Sequence, residues 1–290
     1  MTLLHVIILA VVQGLTELLP VSSSAHVVVA EKLMGMDPTS PEMTLLLIML
    51  HTGTMFAVIV YFWKQWMNAY FESMETFLQS AWLLILATAI TGVIGEGLVK
   101  LIEHFAFPGQ PHADVEQLFG HLELIAPALA AVGILILIAG SVEKRLPAAK
   151  GSDRAGVSGG QASLIGLVQG LTLPFRGFSR SGATISTGML AGVAKARAET
   201  FSFALAVLIT PPAIAREVLR LMKAEHAGGA AVSFSAAMTP ILTGTVCSFL
   251  AGLVALKWLS GWLEGGRWYL FGIYCLVAAA VVMWLHHIGF

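Results

Sequence analysis

Long apolar segments alternate with short polar connections along most of the chain. A helix needs about 20 residues to cross the roughly 30 Å hydrocarbon core of a bilayer, and six segments reach that length. Backbone groups in lipid must be satisfied within the segment, so each segment is predicted to be a helix. The predicted spans are approximately residues 43–63, 78–101, 122–142, 199–222, 233–258 and 268–288.

Two further apolar regions are interrupted by helix breakers. Residues 2–35 are broken at Pro20, and residues 161–194 are broken at Pro174 and Gly177. Each piece is too short to span a bilayer, so each region is predicted to form a re-entrant hairpin of two half-helices. Such backbone is tolerated at membrane depth only where protein or an aqueous cavity surrounds it.

The two interrupted regions share a sequence repeat. "VQGLT" occurs at residues 12–16 and again at residues 168–172. The correspondence continues to Ser22 and Ser179, with one residue inserted between the two landmarks. Three predicted spans follow each hairpin, so the chain is predicted to contain two copies of a hairpin plus three spans.

These copies divide a single membrane domain into two halves. We predict a first repeat at residues 1–142, a connecting loop at residues 143–160 and a second repeat at residues 161–290. Because three spans are an odd number, the second copy enters from the opposite side of the bilayer. The predicted fold is therefore an all-α integral membrane protein with an inverted-topology repeat. Proteins of this kind bind their substrates near the midplane, where broken helices meet.

The composition supports the membrane class. Of the 290 residues, 57% are hydrophobic and 11% are charged, whereas an ordinary soluble domain has about 25% charged residues. The mean hydropathy is +0.83. A basic stripe with interleaved aromatic residues, as expected of a nucleic-acid-binding protein, is absent from the sequence. Cys247 and Cys275 lie in apolar segments and are predicted to be free thiols.

Gln13 and Glu17 are the first candidates for chemistry. They are four residues apart, so they share one face of a helix. An ionisable residue inside a membrane segment is costly and indicates a functional site. Hydrogen bonds to neighbouring helices are one interpretation. The other is a cation site, because carboxylate, amide and phosphate oxygens suit Mg²⁺ or Ca²⁺.

A run of hydroxyl groups follows Pro20. Ser22, Ser23 and Ser24 stand where the second half-helix begins. Serines in this place are commonly helix caps, but the free N–H groups and the dipole of a helix N-terminus also attract anions. His26 lies one turn further along the same face, where it could transfer a proton.

The second copy repeats this arrangement with an added guanidinium. Arg180 is flanked by Ser179 and Ser181, and its planar donors fit a phosphate group. The sequence offers two partners for Arg180, namely Glu17 or a bound anion, and we favour the anion, with Glu17 reached through a metal. The polar residues would form a pocket for a phosphorylated lipid. Those predicted to hold phosphate oxygens are Ser24, Ser179, Arg180, Ser181 and Thr184.

The distribution of basic residues predicts the orientation. Nine lysines and arginines fall on one side of the predicted spans and five on the other, and residues 143–160 hold four of the nine. Basic residues near span ends stay in the cytoplasm. We therefore predict that this loop is cytoplasmic, and that both termini and the opening of the first hairpin face outward.

The polar segments resemble the signatures of a known family. "QGLTELLPVSSSAH" resembles the first signature of the undecaprenyl-pyrophosphate phosphatases, the bacitracin-resistance family, and "GFSRSGATIS" resembles the second. "ETFSFALAV" is similar to a third family segment with Glu, Ser and Phe. The similarity covers essentially the whole chain. Arg176 replaces a Pro of the family pattern, and Ala25 replaces a frequent Gly. The family has Glu or Gln at the position of Gln13, so this chain carries the less acidic of the two.

The resemblance implies a divalent-metal-dependent enzyme of the bacterial plasma membrane. It would convert a polyprenyl diphosphate to the monophosphate and so recycle the lipid carrier of cell-wall synthesis. Glu17 and Gln13 match the metal-binding pair of the family. The implied catalytic residues are Glu17, Ser22, Ser23, His26 and Arg180.

Several alternatives remain open at this point. The attacking group is either a serine hydroxyl or a water, and we favour water with His26 as the base. A transporter that flips polyprenyl phosphate is the alternative function, because inverted repeats with a midplane site are typical of transporters. The sequence leaves a homodimer open as the assembly, and the expected partners are the diphosphate lipid and the bilayer.

Overall fold

The fold is a bundle of helices. The computed structural model describes residues 2–36, 41–106, 121–145, 156–226 and 234–289. Within these ranges all regular secondary structure is helical. The helices are α1 (Leu3–Leu18), α2 (Ser23–Leu33), α3 (Pro41–Tyr70), α4 (Met74–Ala106), α5 (Leu122–Arg145), α6 (Gly159–Thr172), α7 (Arg180–Leu190), α8 (Lys195–His226), α9 (Phe234–Glu264) and α10 (Trp268–His287).

Six of the described helices, α3, α4, α5, α8, α9 and α10, are long and apolar enough to cross a membrane. They confirm the six spans predicted from the sequence. Their outward faces carry exposed apolar side chains such as Trp63, Trp82 and Val93, which are 60%, 63% and 74% exposed. Extensive exposed apolar surface is characteristic of proteins that contact lipid. The thiols of Cys247 and Cys275 are free, as predicted.

Both predicted helix breaks are present. In the first half, α1 ends at Leu18 and α2 begins at Ser23, with Pro20 between them. In the second half, α6 ends at Thr172 and α7 begins at Arg180. The short helices therefore form two pairs. Helix α1 packs against α2, and α6 packs against α7. Their placement as re-entrant hairpins stays a prediction.

Each break contains a backbone conformation that L-residues rarely adopt. Gly177 has φ of +100°, and a Cβ at this position would lie 3.2 Å from the Cβ of Ala128 on α5. Ser22 has φ of +67°, the only positive φ of a non-glycine residue in the described part of the chain. Such conformations persist where the surroundings hold them, commonly at functional sites.

The repeated "VQGLT" segments make equivalent helix contacts in the two halves. A Cβ added to Gly14 would lie 2.6 Å from the carbonyl oxygen of Ser248, so α1 crosses α9 closely at this point. A Cβ added to Gly170 would lie 3.0 Å from the carbonyl oxygen of Thr91, so α6 crosses α4 in the same manner. Small residues allow such close approach of membrane helices. The repeat thus positions α1 and α6 beside long helices of the opposite half.

The remaining packing surrounds the two breaks. Helix α5 packs along α10, and α3 packs against both α8 and α9. Helix α7 lies between α5, α6 and α8. A core cluster that includes Phe62, Phe203 and Trp268 fills the space beside α7. The N-terminus of α7 is held in this way close to the end of α1.

Candidate active site

Glu17 is the centre of a hydrogen-bonded cluster between the two halves. Its Oε1 accepts a hydrogen bond from Nη2 of Arg180 at 2.8 Å. Its Oε2 accepts from Oγ of Ser23 at 2.5 Å and from Nε2 of Gln13 at 3.1 Å. The Glu17 side chain is 13% exposed and that of Arg180 is 24% exposed. A carboxylate in such a setting is stabilised by charged and neutral donors together.

The local sequence explains how these groups meet. Gln13 and Glu17 lie one turn apart on the same face of α1, near its C-terminal end. The break at Pro20 reverses the chain, so that Ser23, six residues after Glu17, faces the carboxylate. Arg180 is the first residue of α7 and enters from the second half. The cluster therefore needs both breaks.

A bound anion, with Glu17 reached through a metal, is the partner that we favour for Arg180, and it stays a prediction. In the structure the guanidinium contacts the other partner that the sequence offered, Glu17 itself. The physical reason is that a guanidinium in an apolar bundle requires a nearby acceptor. The packing of α7 between α5, α6 and α8 brings Glu17 within reach.

His51 on α3 is a fifth polar group of the site, and the sequence reasoning missed it. Its Nε2 lies 3.6 Å from Oε2 of Glu17, and its Nδ1 lies 2.7 Å from the carbonyl oxygen of Leu47. The signal was present in "MLHTGTMF", where an imidazole interrupts an apolar span. His51 lies in an uninterrupted predicted span, outside the two broken regions that share the repeat.

A cleft opens beside this cluster. Its polar end is formed by Glu17, Arg180 and His51. The remainder of its wall comes from the end of α1, from α3 and from α8, and it is mostly aliphatic. These other lining residues are Leu18, Thr54, Met55, Val58, Ala206, Val207 and Thr210.

The serines of the first half lie at the start of α2. Ser22 and Ser24 share a hydrogen bond between their Oγ atoms at 3.2 Å. Oγ of Ser24 also accepts from the backbone N–H of Gly177 at 3.4 Å, which joins the two breaks directly. The structure thus brings the three serines of the first break close to the second break, as a phosphate pocket formed by both breaks requires. Their roles toward a phosphate stay predictions.

The hydroxyls of the second half are engaged within the protein. Ser179 caps α7 by accepting from the N–H of Gly182 at 3.2 Å. Ser181 donates to the carbonyl oxygen of Leu19 at 3.3 Å. Thr184 is fully buried and bonds to Oγ of Ser202 at 2.5 Å, which connects "ETFSFALAV" to α7. The predicted phosphate contacts of Ser179, Ser181 and Thr184 stay predictions, and Arg180 is the member of this group that reaches the cleft.

His26 lies near the start of α2, and the two hydrogen-bond partners of its ring do not include Ser23. Its Nδ1 is 2.7 Å from the carbonyl oxygen of Ser22, and its Nε2 is 2.7 Å from the hydroxyl of Tyr274 on α10. Tyr274 is a second residue that the sequence reasoning missed. The role of His26 in proton transfer stays a prediction.

Glu17 and the polar side chains around it are the candidate ligands of a divalent cation. In the described part of the chain there is no group of three or more His, Cys, Asp or Glu side chains suited to a metal ion. Mg²⁺, however, is commonly held by one or two carboxylates together with waters and substrate phosphates. Glu17 supplies one carboxylate and Ser23 a hydroxyl oxygen beside it, whereas Gln13 turns its amide N–H toward the carboxylate. One carboxylate of this kind is compatible with a cation of the Mg²⁺ type that retains water and binds phosphate, and the cation itself stays a prediction.

Most of the chain matches one protein family. Residues 6–281 match the family described as Bacitracin resistance protein BacA. The chain belongs to this family. The match covers both halves, including all residues of the Glu17 cluster.

Curated relatives of this BacA-family chain are similar over nearly their whole length. It is 55% identical over 287 residues to Undecaprenyl-diphosphatase 2 of Acinetobacter baylyi, with 98% of each chain covered. It is 30% identical over 286 residues to Undecaprenyl-diphosphatase of Parabacteroides distasonis, again with 98% of each covered. It is 33% identical over 301 residues to Undecaprenyl-diphosphatase of Desulfatibacillum aliphaticivorans, with 97% of each covered.

Proposed function

We propose that the protein is an undecaprenyl-diphosphatase of the bacterial plasma membrane. It would hydrolyse the terminal phosphate of undecaprenyl or another polyprenyl diphosphate and return the monophosphate to cell-wall synthesis. The observation that carries the proposal is the 2.8 Å contact of Arg180 with Glu17 at the polar end of a cleft whose remaining wall is mostly aliphatic. The names of the three relatives point to the same activity. No relative named above supports the alternative of a polyprenyl-phosphate transporter.

The lining of the cleft suits an amphipathic substrate. Arg180 offers planar donors to phosphate oxygens, and it stands at the N-terminus of α7, where the helix dipole favours negative charge. The aliphatic wall, with Met55, Val58 and Val207, suits the first isoprene units. Phosphoryl transfer depends mostly on positioning and charge neutralisation, and these residues supply both.

The attacking oxygen forms a bond to the terminal phosphorus while the bond from that phosphorus to the bridging oxygen breaks. Two routes supply that oxygen. Oγ of Ser23 donates a hydrogen bond to Glu17, so it could attack directly and pass its proton to that carboxylate, and a water would then hydrolyse the phosphoserine. A water could attack instead, with His26 as the base, and this remains the route that we favour. Trapping of a phosphoserine would separate them.

A divalent cation, Mg²⁺ or Ca²⁺, is the proposed cofactor. Glu17, supported by Gln13, would hold it, and the cation would neutralise charge on the diphosphate oxygens. Independently of the cation, Gln13 keeps the Glu17 carboxylate oriented through its amide N–H. We also propose the inverted repeat and the outward-facing termini, and the equivalent crossings at Gly14 and Gly170 support the repeat. A homodimer stays a prediction.

Phosphate release by the purified protein in detergent tests the proposal. We expect release from undecaprenyl diphosphate, a slower release from a short-chain polyprenyl diphosphate, and loss of both with a chelator. Glu17→Gln should be nearly inactive because it removes the charge while keeping the shape. Glu96→Gln, a change at an exposed carboxylate on α4, is the matched control and should be active. A wild-type protein that releases no phosphate would reject the function.

Arg180→Lys tests the phosphate contact. A lysine keeps the positive charge but cannot make the planar, two-point contact, so we expect a severe loss of kcat/KM. Arg176 lies in the same break and replaces a Pro of the family pattern. Arg176→Pro should therefore change affinity only modestly. A dispensable Arg180 with an essential Arg176 would show that the wrong arginine has been assigned.

A further inference from the structure

Ser202 on α8 carries a buried hydroxyl that the proposed mechanism does not use. The residue is 3% exposed, and its Oγ lies 2.5 Å from Oγ1 of Thr184 on α7. Its two neighbours, Phe201 and Phe203, are each 2% exposed and belong to two different core clusters. The two buried rings fix the rotation of α8 about its axis, so the hydroxyl of Ser202 stays directed toward α7.

The acceptors around this pair of hydroxyls determine the direction of the hydrogen bond. A hydroxyl has one hydrogen to donate and two lone pairs with which to accept. Oγ1 of Thr184 lies 2.8 Å from the carbonyl oxygen of Arg180 and 3.4 Å from that of Ser181. In the described part of the chain, Thr184 is the one hydrogen-bond partner of Ser202. If Thr184 donated to Ser202, the buried hydrogen of Ser202 would have no acceptor, which is costly. Ser202 therefore donates to Thr184, and Thr184 donates to Arg180.

This chain of hydrogen bonds ends at the residue that carries the guanidinium of the site. Arg180 is the first residue of α7, and its Nη2 contacts Glu17 at 2.8 Å. The bond from Thr184 therefore ties the first turn of α7 to α8 through Ser202. On α8, Ala206 lies one turn beyond Ser202 on the same face and lines the aliphatic wall of the cleft. The hydroxyl pair thus joins the polar end of the cleft to that wall.

We propose that Ser202 is a positioning residue that acts through Thr184 on Arg180 in the hydrolysis of the diphosphate. This inference rests on the proposed function. The planar donors of Arg180 make a two-point contact with phosphate oxygens, and catalysis tolerates little displacement of such a contact. By holding the start of α7 against α8, Ser202 keeps the guanidinium at a constant distance from the wall against which the lipid chain lies.

Ser202→Ala removes the donor and leaves the two phenyl rings in place. We expect kcat/KM for undecaprenyl diphosphate to fall about fivefold to tenfold, the effect of one neutral hydrogen bond. Ser248→Ala is the matched control. Ser248 on α9 is fully buried, and its hydroxyl also donates to another helix, to the carbonyl oxygen of Leu50 at 2.9 Å. The control should lose similar stability in SDS-induced unfolding and leave kcat/KM unchanged.

A double-mutant cycle tests the path through Thr184. Thr184→Val keeps the shape of the side chain and removes its hydroxyl. In that background Ser202→Ala should have no further effect on kcat/KM, because coupled residues are not additive. An equal loss in both backgrounds would contradict the path.

A second measurement follows Arg180 without using activity. Phenylglyoxal modifies guanidinium groups, and the contact with Glu17 protects that of Arg180. Ser202→Ala should weaken this contact and speed modification of the Arg180 peptide at least about twofold, measured by mass spectrometry, as expected for loss of one hydrogen bond. Ser248→Ala should leave the rate unchanged.

The two measurements separate failure of this inference from failure of the proposed function. A wild type that releases no phosphate would reject the function, whereas the modification rates would still test whether Ser202 holds Arg180. In an active wild type the role of Ser202 requires both the loss of kcat/KM and the faster modification. Either effect alone, neither effect, or an equal loss of kcat/KM in Ser248→Ala would overturn it.

Discussion

The ion pair between Glu17 and Arg180 joins the two halves, and its strength can be measured. The two side chains are 13% and 24% exposed, and the N–O distance is 2.8 Å. Removing one partner of a buried pair costs about 3–5 kcal/mol. In Arg180→Gln, Glu17 would keep its hydrogen bonds to Ser23 and Gln13, and neither charge of the pair is completely buried. We therefore expect this variant to lower the free energy of unfolding by the lower limit of that range, about 3 kcal/mol. The coupling energy in a cycle with Glu17→Gln should be about 2 kcal/mol, as for one charged hydrogen bond.

The chain contains a matched control for this cycle. Arg216 and Glu96 also connect two helices, α8 and α4, with an N–O distance of 2.9 Å, but their side chains are 57% and 56% exposed. An exposed pair of this kind couples by less than about 1 kcal/mol. Both cycles can be measured by SDS-induced unfolding of the purified protein, followed by the fluorescence of its seven tryptophans. Equal coupling in the two pairs, or less than about 0.5 kcal/mol at Glu17, would refute the reasoning.

Three further predictions concern packing, the nucleophile and orientation. Gly14→Ala places a Cβ 2.6 Å from a backbone oxygen of α9 and should cost about 1–3 kcal/mol of stability, whereas Gly92→Ala meets nothing within 4 Å and should be neutral or slightly stabilising in the same unfolding assay. If water attacks, Ser22→Ala and Ser23→Ala should each lose only part of the activity. If Ser23→Ala is inactive and a phosphoserine peptide can be trapped from the wild type, the serine route is established. A cysteine introduced in residues 143–160 should resist impermeant thiol reagents in intact cells while one at the C-terminus reacts, and the opposite labelling would invert the orientation.

The spans and the breaks were predictable because they follow from simple physical limits. A bilayer sets the length of an apolar helix, and a proline beside polar residues interrupts it. The helix ends were less predictable, since α3 continues to Tyr70, seven residues beyond the apolar run that predicted it. Proline alone was also a poor guide. Pro127, Pro211, Pro212 and Pro240 lie inside helices without ending them.

The central cluster was predictable only in part. Spacing and the repeat indicated that Glu17, Ser23 and Arg180 would meet, because each flanks a break. His51 and Tyr274 were missed, because contacts between distant helices depend on how each helix is rotated about its axis. A hydrophobic pattern in a span that is apolar on all sides does not specify that rotation.

The Glu17 cluster also lies where the two predicted copies differ in sequence. The position after the repeated "VQGLT" is Glu17 in the first half and Leu173 in the second, while the residue after the paired serine is Ser23 in the first half and Arg180 in the second. Each half thus contributes one of two opposite charges, and a half alone would leave its charge uncompensated at a cost of a few kcal/mol. The single chain then resembles an obligate heterodimer whose subunits have been fused. If the halves were produced as separate polypeptides, complementary charge would favour each half binding the other over binding its own copy.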